Sequence, residues 1–149
     1  MFKFISTLLS LWVLSACGTI PEIVLNEALP TVAVEPSNPV LKQISEGTFQ
    51  NGFHKVSGQA SLIENGDQKF LRVENFSTEN GPDLFFYLIR NDSGLPQAGD
   101  FINLGRLKAT QGTANYEIPA DINLEDYQSV SVWCQAFSVN FGSARLALQ

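Results

Sequence analysis

Residues 129–148 read Ser-Val-Ser-Val-Trp-Cys-Gln-Ala-Phe-Ser-Val-Asn-Phe-Gly-Ser-Ala-Arg-Leu-Ala-Leu. Val130, Val132 and Cys134 alternate with Ser129, Ser131 and Trp133. Phe137, Val139 and Phe141 repeat the period, and so do Ala144, Leu146 and Leu148. Successive side chains of an extended strand point to opposite faces, so this alternation predicts half-buried strands. Upstream, Val56, Gly58, Ala60 and Leu62 alternate with Lys55, Ser57, Gln59 and Ser61. Leu84 to Ile89 is apolar on both sides, as in the centre of a sheet. Turn signals separate these runs: Asn51-Gly52, Asn65-Gly66-Asp67, Asn80-Gly81-Pro82-Asp83, Asp92-Ser93-Gly94 and Gln111-Gly112. One helical turn is expected at Asn123 to Tyr127, and no longer helical period is present. Short strands with frequent turns predict an all-β fold, an antiparallel β-sandwich or a barrel-like single domain, over residues 46–149.

Composition agrees with one small domain. The chain has 149 residues, of which 44% are hydrophobic and 16% charged, which excludes a disordered polyelectrolyte. A formal charge of -6 argues against a general nucleic-acid binder, which needs a basic surface. One histidine and two cysteines are too few for dense zinc sites. The nine phenylalanines beyond residue 17 are expected to furnish most of the core, so aromatic abundance alone does not mark a ligand platform.

The front of the chain carries an address. Lys3 precedes an apolar run from Phe4 to Leu14, about half the roughly 20 residues that a membrane span needs. It ends in Leu14-Ser15-Ala16-Cys17, which resembles a bacterial lipobox. The expectation is a signal peptide over residues 1–16, cleavage before Cys17 and fatty acylation, palmitate among the acyl groups, at that residue. The alternative is an ordinary secretory signal cut near Ala16. Residues 17–45 contain four of the seven prolines and read as an extended linker. A strand docked on the domain around Ile23, Val24 and Leu25 is the competing expectation. Gly18 after the cysteine predicts a lipid-anchored protein of the cell envelope, facing the periplasm from the outer membrane if the source has two membranes. Loss of Lys3 leaves 8 basic and 15 acidic side chains, so the lipid rather than charge must bind the membrane.

The inventory of reactive groups is short. With Cys17 acylated, Cys134 has no intrachain disulfide partner. It continues the apolar face of Val130 and Val132, where cysteine acts as a small buried hydrophobe. The functional alternative is a redox or metal-binding thiol. Between Lys108 and Arg145 there is no Lys, Arg or His to stabilise a thiolate, so any helper must arrive through the fold. His54, the sole histidine, lies in phase with Val56 and is the candidate helper. One thiol and one imidazole do not close a zinc site, and a copper or haem contact would need ligands from another molecule. No Gly-x-Ser-x-Gly or phosphate-binding glycine loop is present, and a stand-alone enzyme is not indicated. Asp83 is read as a turn residue ahead of a strand.

Several phrases in order resemble the DM-thirteen domain of Skeletor-type animal proteins and bacterial exported proteins. They are Gly47-Thr48-Phe49 with His54 and Gly58, Val73-Glu74-Asn75-Phe76, and Gly81-Pro82-Asp83-Leu84. Leu104-Gly105-Arg106-Leu107-Lys108, Gly112 with Tyr116 and Pro119, and Val130-Ser131-Val132-Trp133-Cys134 with Phe137 and Phe141 follow. The resemblance implies a β-rich extracytoplasmic domain with a proposed role in electron transfer, and Cys134 falls at the family's signature cysteine. It also implies a separate redox or envelope protein as partner. A non-catalytic binding or scaffold lipoprotein with a structural Cys134 is the alternative.

Overall fold

The structure is a computed structural model and describes residues 23–30 and 41–149. The signal peptide, Cys17 and much of the expected linker lie outside the described residues. The described residues form ten strands: β1 (Val24–Asn26), β2 (Leu41–Asn51), β3 (Val56–Asn65), β4 (Gln68–Thr78) and β5 (Leu84–Ile89), then β6 (Phe101–Arg106), β7 (Gln111–Ile118), β8 (Ser129–Cys134), β9 (Val139–Arg145) and β10 (Ala147–Leu148). Nine of them form one curled sheet in the order β1-β7-β4-β3-β2-β9-β8-β5-β6, and β10 pairs with β2. The last strand of that order, β6, returns to lie beside β7, which gives the sheet the form of a half-barrel. The described residues thus form an all-β domain, as the alternating pattern predicts.

One strand joins the two halves of the curl. Leu41 to Thr48 of β2 pairs with β3, and Phe49 to Asn51 pairs with β9. Gly47 sits at the changeover, where a Cβ would overlap the carbonyl of Arg145. The strand begins at Leu41, ahead of the boundary expected at residue 46, because residues 41–45 find partners in β3 that local composition does not announce.

The curl encloses a core that includes Phe49, Leu62, Leu71, Phe76, Phe86, Val130, Val132, Cys134 and Phe141. The rings of Phe49, Phe76 and Phe86 meet edge-on or tilted with centroids 5.2 to 6.1 Å apart, the arrangement that aromatic quadrupoles favour. Phenylalanine supplies less of the core than its number suggests. Phe53 is 81% exposed and Phe137 is 69% exposed. The expectation that Phe137 continues the inward face fails because Gln135 to Ser138 is the turn between β8 and β9.

Local signals are borne out unevenly. Asn65-Gly66-Asp67 closes the β3–β4 hairpin, with Gly66 at φ 62°. Asn123 caps a single 3-10 turn, Leu124–Asp126. Gln111-Gly112 is not a turn; both residues lie in β7, which pairs in parallel with β1 through Val24↔Gln111 and Leu25↔Gly112. Gly112 has φ 109°, and a Cβ there would run into the Leu25 carbonyl oxygen. The glycine is needed because another strand passes so close. So the segment around Val24 and Leu25 is docked on the domain.

Glu27 fastens the strand. Its amide donates to the Thr113 carbonyl at 2.8 Å. Its carboxylate accepts from the Asn115 amide at 2.8 Å and from Lys108 Nζ at 2.9 Å. Partial burial works against this carboxylate's charge, but the bonds from Asn115 and Lys108 outweigh it and hold its pKa below the ordinary value.

Candidate functional site at the Cys134 end

Alternating strands place their ends at two opposite rims. One rim holds the end of β2, the start of β3, the end of β4, the start of β5, the end of β8 and the start of β9. Cys134 ends β8 at this rim, paired with Leu84 of β5 and Val139 of β9. Its side chain turns inward with Val130 and Val132 and has no solvent exposure. It is a free thiol. Among the described residues, no hydrogen bond reaches its sulfur.

His54 stands on the same rim, outside the core. Its amide donates to the Phe141 carbonyl at 3.1 Å, which pins residues 52–54 against β9. The imidazole lies on the Phe141 ring, centroids 3.8 Å apart. Its Nδ1 is 2.7 Å from Glu79 Oε2. This hydrogen bond to His54 is the main reason that the Glu79 carboxyl lies below its ordinary pKa. The fold therefore brings His54 and Cys134 to one end without bonding them. His54 is committed to Glu79, while Phe141 beneath it belongs to the same core as the thiol.

Asp83 behaves as a strand-start residue. It pairs with Arg106 at the end of β6, and its carbonyl accepts from the Gln135 amide at 3.0 Å. Among the described residues, no three His, Cys, Asp or Glu side chains are grouped to hold a metal ion.

The outward face beside Cys134 carries a feature that the sequence reading missed. Trp133 is stacked with Tyr87 at 6.1 Å, and Tyr87 is stacked with Phe101 at 4.5 Å and 13° between planes. Gln135 Nε2 donates to the Tyr87 hydroxyl at 2.6 Å. These residues come from β8, β5 and β6, so no local spacing reveals the stack. Only the odd-numbered positions of β5, Phe85 and Tyr87, offered a hint. Glu79 was missed for the same reason, since 25 residues separate it from His54.

The described residues thus form a curled all-β domain with one enclosed thiol at a rim, an aromatic stack on the outward face beside it and a histidine held by a carboxylate. Residues 48–146 match the family described as Electron transfer DM13, and the chain belongs to that family. Comparison with curated proteins and with solved structures finds no match.

Proposed function

We propose that the chain is a membrane-tethered, extracytoplasmic accessory domain for electron transfer, acylated at Cys17 and using Cys134 as its redox group. The observation that carries this reading is that Cys134 is the one cysteine inside the span matching an electron-transfer family. The lipobox-like Leu14-Ser15-Ala16-Cys17 supports the tether and a cell-envelope location, at the outer membrane if the source has two.

Enclosure limits the chemistry open to the thiol. Disulfide exchange needs access for a second sulfur, and Cys134 is closed to solvent. An electron needs no open channel. In this scheme one-electron oxidation of the thiol gives a thiyl radical, the electron passing through packed protein to the oxidised metal or haem of the partner and the thiol proton leaving to water at the rim. The reverse step restores the thiol. Trp133, half-buried on the outward face next to Cys134 and stacked on Tyr87, supplies a polarisable ring at the same rim. A copper or haem group belongs in this scheme to a separate partner protein, and His54 helps at the rim that the partner approaches.

Full burial among apolar residues favours a second reading, in which Cys134 only packs the core of an envelope scaffold module. Film voltammetry of the full chain beside Cys134→Ala separates the two, with thermal melts confirming that the variant folds. A one-electron wave lost in the variant supports the redox thiol. No wave in the wild type, or a wave that survives in the variant, overturns it. Mass spectrometry showing an unacylated Cys17, or a bridge from Cys17 to Cys134, overturns the tether.

A further inference from the structure

β1 enters the domain at the rim that carries Cys134. It runs parallel to β7, so Val24 lies beside Gln111, the residue that pairs with Ser77 near the end of β4. The chain ahead of Val24 therefore leaves from the Cys134 end. Between Cys17 and Val24 stand only residues 18–23, which reach at most about 25 Å when fully extended. The 11 residues of β4 alone span roughly 36 Å. A tether shorter than the barrel cannot leave this rim and let the opposite end face its anchor without the barrel turning over.

The same rim bears the most exposed large apolar side chains among the described residues: Phe53 at 81%, Phe137 at 69% and Ile23 at 65%. Phe53 and Phe137 are close along the rim, because the Phe53 amide donates to the Asn140 carbonyl at 3.0 Å, just past the turn that holds Phe137. Charges there are largely matched, with Lys55 near Glu79 and Arg106 against Asp83. The rim so presents aromatic tips without a net acidic field, although the chain as a whole is acidic. Exposed phenylalanine rings beside a lipid anchor gain free energy by burying their apolar surface at the boundary between headgroups and acyl chains.

From this we infer that Phe53 and Phe137 rest in the interfacial zone of the lipid bilayer, holding the Cys134 end of the barrel against the membrane. The inference rests on the proposed acylation of Cys17. It places the redox end within reach of a membrane-bound partner and turns the Asn65–Gln68 hairpin outward.

The test uses the acylated chain, cleaved before Cys17 and so without Trp12, in phosphatidylcholine vesicles with bromine on the lipid acyl chains near the headgroups. Phe53→Trp, Phe137→Trp and, at the opposite rim, Leu41→Trp are each made in a Trp133→Phe background. Mass spectrometry first establishes acylation. Bromolipid is expected to quench the first two probes at least twofold and shift their emission to the blue, leaving Leu41→Trp unchanged. Equal quenching of all three, or none, in an acylated chain overturns the inference while the tether stands. An unacylated chain overturns the tether and the inference with it.

Discussion

Cys134→Ala and Cys134→Ser weigh the enclosure of the thiol directly. The side chain has no exposure and lies among apolar residues. Truncation to alanine loses about 1 kcal/mol of transfer free energy for one buried heavy atom. A residual cavity of ~20 Å³ adds about 0.5 kcal/mol at ~24 cal/mol per Å³. Serine keeps the shape but brings a hydroxyl to a site where the sulfur has no hydrogen-bond partner, a cost of about 1–3 kcal/mol on top of the lost apolar sulfur. Serine should therefore be the less stable variant by about 1 kcal/mol or more, and each kcal/mol lowers the melting temperature of a domain this size by roughly 4–8 °C. Urea titration followed by Trp133 fluorescence, with a thermal melt as a second probe, measures both. A serine variant as stable as the alanine variant would refute the claim that apolar side chains enclose the sulfur.

Gly112→Ala should detach β1, because its Cβ would collide with the Leu25 carbonyl at a positive φ; hydrogen exchange at the Glu27 amide, now bonded to Thr113, should rise while the β3–β4 amides stay protected. Glu79 and Glu27 both have lowered pKa values, so each contributes stability that is present above the ordinary value of 4.5 and is lost as pH falls below it. Glu79→Gln and Glu27→Gln should accordingly flatten the acid limb of urea midpoint against pH, and an unchanged limb in both would contradict the bonds to His54 and Lys108. On the alkaline side, burial pushes the Tyr116 phenol up to about 12, which favours its neutral form in the folded state. Stability should hold below pH 10 and fall from there toward pH 12, a loss that Tyr116→Phe removes from the urea profile.

Features set by neighbouring residues were readable in the chain, and features set by distant ones were not. The period of Val130, Val132 and Cys134 and the Asn65-Gly66-Asp67 hairpin depend on side-chain direction and local φ, so each reads correctly. Asn123 caps its turn through its own side chain, which accepts from the Glu125 amide two residues on. Gly112 misled because a glycine that admits an adjacent strand looks the same as one that bends the chain. Phe137 misled because alternation continues across a tight turn by accident. At the candidate site, Cys134 and its inward direction were legible, whereas Glu79 and the Trp133–Tyr87–Phe101 stack exist only through pairing of strands far apart in sequence.

The docking of β1 also determines how the domain would bear a mechanical load. A pull on the N-terminal segment acts along β1, parallel to β7, so the bonds between the two strands and the Glu27 clamp are strained together in shear. A hairpin pulled from its open end would instead unzip one bond at a time. The short strand thus acts as a strain relief, taking up tugs on the N-terminus before they reach the barrel walls around Cys134.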